Sequence, residues 1–116
     1  IAGKAALENT FFSSLYSPDD TSDLNKDFVA EYKKAYNTNP DVFAALAYDS
    51  TLLVAKAIED AGSADPAKIA EAMAKIKGFK GVSGEVTFNE EHNPIKSAVI
   101  IEHKDGKQTF KTKVNP

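Results

Sequence analysis

The chain has 116 residues, 42% of them hydrophobic, with a formal net charge of −3 and a sequence pI near 5.3. This length supports one small hydrophobic core, and the acidic balance argues against a nucleic acid as a partner. All fourteen cationic residues are Lys and no Cys is present. Bidentate Arg clamps, disulfides and thiolate metal sites are therefore excluded from this chain. No apolar run approaches the roughly 20 residues of a membrane-spanning helix.

The first elements along the chain are short. Residues 2–8 have the composition of a helix end, but no capping residue precedes them, so we expect Ile1 to be a cut end of a longer protein. The apolar and aromatic run Thr10–Tyr16 (TFFSSLY) predicts a strand. The turn-forming residues Ser17–Asp20 (SPDD) end that strand.

Three helices are predicted next, over roughly 22–37, 40–61 and 65–77. Apolar and aromatic residues recur at intervals of four along the first helix, which gives it one apolar stripe. These residues are Leu24, Phe28, Tyr32 and Tyr36. Either Thr21 or Ser22 is the expected N-cap, because a side-chain hydroxyl there can accept from a free backbone N–H of the first turn.

The second helix is apolar over most of its circumference, so it requires packing partners on more than one face. Asn39 and Pro40 are predicted as its N-cap and first residue, and Gly62 as its left-handed C-cap. Asp65-Pro66 repeats the cap-and-proline pattern at the start of the third helix. The apolar positions of the second helix are Phe43, Leu46, Ala47, Leu53, Val54, Ala57 and Ile58.

From Phe79 onwards, strand patterns replace helical ones. Asp105-Gly106 favours a two-residue hairpin turn. The predicted strands are Glu85–Phe88, Ser97–His103 and Gln108–Val114, with a turn at Gly81–Gly84 and a polar loop at Asn89–Pro94. So few strands cannot cover three apolar helices, and we therefore expect this chain to need strands from elsewhere.

Two segments carry a resemblance to a known family. Asp27–Ser50 (DFVAEYKKAYNTNPDVFAALAYDS) combines an F-x3-Y-x3-Y helix, a turn ending in Asn-Pro and a second helix with Tyr48-Asp49. Gly81–Asn89 (GVSGEVTFN) and then Asn93-Pro94 follow in the same order. Together these features resemble the C-terminal third of a solute-binding protein of an ABC importer, of the branched-chain amino acid (Leu/Ile/Val) receptor family.

The resemblance implies an α/β fold class, as part of a two-lobed type I periplasmic-binding-protein fold. Residues 1–116 would be a C-terminal fragment that supplies three helices plus strands from both lobes. On this mapping, residues 18–80 hold helices of the N-terminal lobe, whereas 1–17 and 95–116 are elements of the C-terminal lobe. The remainder of the polypeptide is then an obligatory partner, and the fragment alone is expected to associate, for example as a homodimer.

The same resemblance implies a function. Family members capture an amino acid, here expected to be branched-chain or aliphatic, between their lobes and close around it. The complex docks on permease subunits in the membrane, and separate subunits hydrolyse ATP. The binder itself is then not an enzyme and needs no cofactor. The expected location is the periplasm or the cell exterior, with a lipid anchor at the membrane surface as one version.

Four residues are predicted to bind the ligand. Phe43 matches a family position that lends an aromatic or bulky side chain to the cleft, although core packing explains it equally well. Tyr48 and Asp49 match the family's Tyr-Asp pair. Packing near the hinge is favoured for Tyr48, and a solvated or capping role for Asp49. Tyr16 lies beside the proposed crossover and is a further candidate for the cleft wall.

Other chemistry finds little support in the sequence. The spacing Gly78-x-x-Gly81-x-x-Gly84 leads from a helix into a strand, whereas a phosphate loop leads from a strand into a helix. His92 and His103 have no second ligand at the spacing of a metal-binding helix, so no metal site is predicted. Two alternatives to transport stay open: a ligand-sensing domain of a receptor or regulator with the same fold, and a free-standing small interaction module.

Overall fold

A computed structural model describes residues 3–116, which form four helices and six strands. The helices are α1 (Lys4–Leu7), α2 (Asp23–Tyr36), α3 (Val42–Ala61) and α4 (Pro66–Ala74). The strands are β1 (Phe11–Ser14), β2 (Phe79–Gly81), β3 (Gly84–Phe88), β4 (Pro94–Lys96), β5 (Ala98–Lys104) and β6 (Lys107–Val114). The predicted α/β class, with three main helices followed by a strand-rich region, is confirmed.

The strands form two separate antiparallel sheets. We call β1-β5-β6 the terminal sheet and β2-β3-β4 the helix-side sheet. The molecule measures 54 × 33 × 26 Å with a radius of gyration of 16.6 Å, against about 13 Å for a compact domain of this length. This elongation indicates that the two sheets do not share one continuous core.

The larger hydrophobic cluster lies between α3, α4 and the helix-side sheet. Its buried residues are Leu53, Ala57, Ile76 and Val86, with Ile69, Ala72, Met73, Phe79 and Phe88 packed around them. A second cluster joins Tyr16, from the segment after β1, to Ala45 of α3 and to Val82. Both clusters therefore lie on the helical side of the molecule, and Tyr16 extends the second towards the terminal sheet, in which Val99 and Ile101 are also buried.

Most of the predicted end signals are confirmed. Gly62 ends α3 with a left-handed backbone (φ 56°), and the Asp65 carboxylate accepts from the backbone N–H groups of Ala67 and Lys68 at the start of α4. Asp105 and Gly106 both have positive φ, 53° and 71°. That backbone matches the type I′ turn expected of an Asp-Gly hairpin between β5 and β6.

The predicted start of the second helix was wrong by two residues. Asp41, not Asn39, is the N-cap, because its Oδ1 accepts from the Ala44 backbone N–H at 2.8 Å. Pro40 therefore lies before the helix instead of at its first position. The strands β2 and β4 were not predicted; each has three residues and depends on pairing with β3.

α3 leaves much of its apolar surface uncovered. Its buried stripe, Ala45, Asp49, Leu53 and Ala57, recurs every four residues. Large apolar side chains on the rest of the helix are exposed: Phe43, Tyr48, Leu52, Val54 and Ile58. We call these five residues the exposed arc of α3. Within residues 3–116, no helix combines the length and the apolarity that a bilayer span requires.

Candidate functional site

The chain passes between the two sheets at two places that lie close together. Residues 15–22 lead from β1 into α2, and Ser97, which is buried, joins β4 to β5. Tyr16 in the first passage packs on Ala45 and Val82. A Cβ placed on Gly84 would lie 2.9 Å from Oγ of Ser97 in the second. We call this region the crossing.

A buried carboxylate organises the crossing from the side of α3. Asp49 is 3% exposed, and its oxygens accept from the backbone N–H groups of Val82 at 2.8 Å and Ser83 at 2.9 Å. The Ser83 hydroxyl also donates to Oδ2 of Asp49. A Cβ on Gly81 would lie 2.5 Å from this carboxylate, so the turn can approach α3 this closely only with glycine there.

A lysine extends this contact to β4. Nζ of Lys96 donates to Oγ of Ser83 at 2.6 Å. An ammonium group has no acceptor, so the Ser83 hydroxyl must accept from Lys96 and direct its own proton to Asp49. We call this chain of hydrogen bonds the Lys96–Ser83–Asp49 relay. Burial lowers the pKa of Lys96, and the nearby Asp49 charge opposes that shift.

The loop before α2 is fixed to that helix by one amide. Nδ2 of Asn25, which is fully buried, donates to the carbonyls of Ser17 at 3.4 Å, Pro18 at 3.1 Å and Asp20 at 2.8 Å. Burial, reinforced by Asp20 and its neighbours, raises the pKa of the Tyr16 hydroxyl. Across the described residues, the buried Tyr16 Oη and Asn25 Oδ1 have no hydrogen-bond partner.

An open aromatic groove of about 730 Å³ lies between α2 and α3. The Phe28 and Tyr48 rings are 4.8 Å apart, and the Tyr32 and Tyr36 rings 4.6 Å apart. Asp27, Glu31 and Lys80 add charge at its lining, which also includes Leu24, Phe28, Tyr32, Tyr36, Tyr48 and Leu52. The groove is a continuation of the exposed arc of α3, since Tyr48 and Leu52 belong to both.

Comparison with known proteins identifies the family. A family model described as "Periplasmic binding protein" matches residues 1–108. The chain belongs to the periplasmic binding protein family. The predicted family resemblance is thereby confirmed.

Individual members of the family are similar to this chain in sequence and in structure. The leucine-, isoleucine-, valine-, threonine- and alanine-binding protein of Pseudomonas aeruginosa is 39% identical over 67 residues, 57% of this chain and 17% of that protein. The crystal structure of the leucine-binding protein LivK of Thermotoga maritima covers 96% of this chain at 38% identity, with a TM-score of 0.84. The isoleucine complex of LivJ from Streptococcus pneumoniae covers 94% at 37% identity, with a TM-score of 0.81.

The chain spans only part of these periplasmic binding proteins. It corresponds to 32% of the Thermotoga maritima structure and 31% of the Streptococcus pneumoniae structure. The described residues therefore show how a third of such a protein folds.

The structure places the four predicted ligand residues at three separate locations. Phe43 lies at the start of α3 with 77% of its surface exposed, and Tyr48 lies in the aromatic groove with 44% exposed. Asp49 and Tyr16 are both buried at the crossing, where the Asp49 charge contributes to raising the Tyr16 pKa. Their roles in ligand binding stay predictions. A solvated role for Asp49 is wrong, because its carboxylate is buried and bonded to the backbone of Val82 and Ser83.

The sequence did not single out the residues that connect the crossing. Ser83 lies between Val82 and Gly84, and the sequence predicts only a turn there. Lys96 lies in the short strand β4, between the predicted loop Asn89–Pro94 and the predicted strand Ser97–His103. A weak signal was present in Asn25, because a buried amide in a first helical turn that follows a Pro-Asp-Asp loop can bind that loop's carbonyls.

Proposed function

We propose that this chain is the C-terminal part of the solute-binding component of an ABC importer, which captures a branched-chain or other aliphatic amino acid between two lobes. One observation carries this proposal: the fold superposes over nearly its whole length on a leucine-binding protein with 38% identical residues. The isoleucine complex of LivJ, at 37% identity, supports the same ligand class. Such a binder performs no chemistry on its ligand and is not an enzyme.

The two sheets support a division of the chain between two lobes. Residues 18–80 hold α2, α3 and α4, which we assign to the N-terminal lobe together with the helix-side sheet. Within residues 1–17 and 95–116, the strands β1, β5 and β6 form the terminal sheet, which we assign to the C-terminal lobe, whereas residues 95 and 96 belong to β4 and stay with the helix-side sheet. Ser97 is then the second boundary, because the chain leaves the helix-side sheet at Lys96 and enters the terminal sheet at Ala98.

The apolar surface of α3 and of the aromatic groove requires a partner, and that partner is the remainder of the polypeptide. The exposed arc of α3 and the aromatic groove present large apolar side chains to solvent, and apolar patches of that size mark interaction surfaces. We propose that strands of the N-terminal lobe outside this chain cover Leu52, Val54 and Ile58 of the arc and the adjoining groove, and that they leave Phe43 and Tyr48 on the side of the cleft. In the absence of those strands, a homodimer through the same surface is the expected substitute, which light scattering on the 116-residue chain would detect.

Phe43 is the residue proposed to touch the ligand. Among residues 3–116 it is the most exposed of the large apolar side chains, and it lies in the first turn of α3. Tyr48 is proposed to line the hinge side of the cleft. Asp49 and Tyr16 are proposed to shape the cleft wall from inside the crossing, because both side chains are buried.

Calorimetric titration of a two-lobed protein that contains this chain tests the ligand class. Leucine, isoleucine, valine, alanine and phenylalanine are titrated in turn, and one of the first three is expected to bind most tightly. Phe43→Ala should raise the Kd by about tenfold, because an apolar contact of this size contributes roughly 1–3 kcal/mol. Tyr36→Ala is the matched control, as its ring is also exposed, at 66%, but lies at the far end of α2.

Two results would contradict the proposal. If none of the five amino acids binds, the assigned ligand class is wrong. If Phe43→Ala and Tyr36→Ala leave the same Kd as the unchanged protein, Phe43 is not in the cleft.

Stimulation of ATP hydrolysis distinguishes an importer component from a sensor. The permease and its ATPase subunits are reconstituted in vesicles, and the liganded protein is added. Faster hydrolysis than with the ligand alone supports the transport role. Binding without stimulation would favour a ligand-sensing domain. Cell fractionation tests the proposed periplasmic or external location, and a hydrophobic shift of the mature protein in detergent partition would reveal a lipid anchor.

A further inference from the structure

Hydrogen bonds attach the loop at the first passage of the crossing to the helical side of the molecule. Asn25 of α2 binds three carbonyls of this loop, including that of Asp20. The Ser22 backbone N–H also donates to Oδ1 of Asp20 at 2.9 Å. The Asp20 carboxylate is thus held in a fixed place relative to α2, although it precedes that helix by three residues.

A β-bulge turns a lysine of the terminal sheet towards this loop. In the pairing of β5 with β6, Ile101 lies opposite Phe110, but Ile100 lies opposite Thr112, so Lys111 is the extra residue. Without the bulge, Phe110 and Lys113 would face opposite sides, because side chains alternate along a strand. With it, both lie on the face of the buried Ile101 and Val99, and re-directing a side chain is a recurrent role of bulges.

Lys113 reaches Asp20 from that face. Nζ of Lys113 lies 2.5 Å from Oδ2 of Asp20, and the two side chains are 31% and 11% exposed. Burial pushes the Asp20 pKa up, but the hydrogen bonds from Lys113 and Ser22 outweigh it and hold this pKa below its usual value.

This ion pair differs from the others in what it connects. Among residues 3–116, the pairs Lys26–Asp23, Lys34–Glu31 and Lys56–Asp60 each lie within one helix, and Lys111–Glu102 lies within the terminal sheet. Of the ion pairs between described residues, only Lys113–Asp20 joins the terminal sheet to the helical side. A partly buried pair at such a position constrains the angle between the two parts.

We propose that Asp20 and Lys113 form a clasp at the hinge, which limits the relative orientation of the two lobes and so favours closure on a ligand. This inference rests on the proposed two-lobed capture of a solute. Both residues are positioning residues, since they lie in the crossing and not in the cleft. The clasp limits the range of orientations that the two lobes adopt without ligand, so the lobes lose less conformational entropy when they close. The affinity for the ligand is then higher, although the clasp does not touch the ligand.

Distances between spin labels measure the clasp directly in the two-lobed protein. Because this chain has no native Cys, labels can be attached through Lys33→Cys on α2 and Lys107→Cys at the tip of the β5–β6 hairpin. Both positions are exposed, and they lie on opposite sides of the crossing. The distance distribution is recorded by pulsed electron paramagnetic resonance, with and without leucine.

Three variants break the clasp and one restores it. Lys113→Gln, Asp20→Asn and the double variant should all broaden the ligand-free distance distribution by a similar amount, because they remove the same interaction. The charge swap Asp20→Lys with Lys113→Asp should narrow it again. Lys111→Gln is the matched control, since it removes an ion pair of 3.0 Å inside the terminal sheet and should leave the distribution unchanged.

Affinity gives a second readout. Lys113→Gln should raise the Kd for leucine by about two- to fivefold, the range expected for the loss of one partly exposed ion pair, and Lys111→Gln should not. The clasp is overturned if Lys113→Gln gives the same distribution as Lys111→Gln. If the unchanged protein binds no amino acid, the proposed ligand class fails, and the distances still decide the clasp. If Asp20→Asn does not fold, Lys113→Gln and its control decide it alone.

Discussion

The crossing and the exposed arc both involve α3, but they differ in how completely the groups of this chain satisfy them. At the crossing, both oxygens of Asp49 are bonded, to Val82 and Ser83, by groups within the chain. On the exposed arc, Phe43 is 77% exposed and Leu52 is 40% exposed. The chain therefore satisfies the buried Asp49 carboxylate with its own groups, while it leaves much of the apolar surface of α3 uncovered.

The contrast shows why a third of such a protein can retain a defined local structure. A buried carboxylate must have its hydrogen-bond donors close by, because an unpaired buried charge is very costly. Hydrophobic burial is less directional and can be completed by a distant part of the chain. Polar anchoring at the crossing and apolar docking on α3 should therefore respond differently to mutation.

Removing the Asp49 carboxylate should have the largest effect on stability. Asp49→Ala leaves the backbone N–H groups of Val82 and Ser83 and the Lys96 ammonium without their acceptor chain, so the free energy of unfolding should fall by about 3–5 kcal/mol. Urea titration followed by circular dichroism measures the change. Asp60→Ala on the same helix is the control, with an expected loss of about 0.5 kcal/mol from a pair with Lys56 at the surface.

An Asp49→Ala variant as stable as Asp60→Ala would mean that water replaces the relay, and the crossing would then not be a rigid point. An intermediate loss that disappears in the Ser83→Ala background would instead assign most of the energy to the hydroxyl of Ser83.

Substitution of two adjacent leucines of α3 distinguishes the stability that comes from burial within this chain from the stability that comes from burial by the remainder of the protein. Leu53 is 8% exposed and belongs to the main core, whereas Leu52 is 40% exposed. Leu53→Ala should lower stability by about 2–4 kcal/mol in both the 116-residue chain and the two-lobed protein. Leu52→Ala should cost less than about 0.5 kcal/mol in the monomeric chain and about 2 kcal/mol in the two-lobed protein.

Denaturant titrations are recorded for both variants, each in the 116-residue chain and in the two-lobed protein. They give the loss of stability relative to the unchanged protein of the same length. Equal costs of Leu52→Ala in the two lengths would show that the exposed arc stays open in the complete molecule. The proposed cover by strands of the N-terminal lobe would then be wrong.

The sequence predicts the helical side of the fold well because its signals are local. Capping by Asp65, the left-handed Gly62 and the Asp105-Gly106 turn each depend on a few neighbouring residues. The need of α3 for further partners could also be read from its composition alone. The start of α3 was misplaced because Asn39 and Asp41 offer similar capping oxygens, and only the geometry selects Asp41.

The crossing could not be predicted, because its contacts join residues that are far apart in sequence. Asp49 and Ser83 are separated by 34 positions, and nothing in either local pattern indicates the other. Lys113 depends on a bulge that reverses the alternation of β6, so a regular strand pattern assigns its side chain to the wrong face. Positions of this kind require the three-dimensional pairing of strands.

The smallest expected effect is the acid dependence of the clasp. The folded-state pKa of Asp20 lies below its ordinary value of 3.8, so the unfolded state binds the proton more readily. The contribution of the charged carboxylate to stability is therefore complete above about pH 5 and is lost as the pH falls below 3.8 through the folded-state pKa. Asp20→Asn should lower stability by about 1 kcal/mol at pH 6, and this difference from the unchanged chain should shrink as the pH falls below 3.8. Asp23→Asn is the control for removal of a surface charge, because Asp23 pairs with Lys26 while 97% exposed, and its effect on stability at pH 6 should be smaller. A difference for Asp20→Asn that is constant from pH 6 to pH 2 would mean that the ion pair with Lys113 adds nothing to stability, and that only the backbone contacts of Asp20 hold the loop to α2.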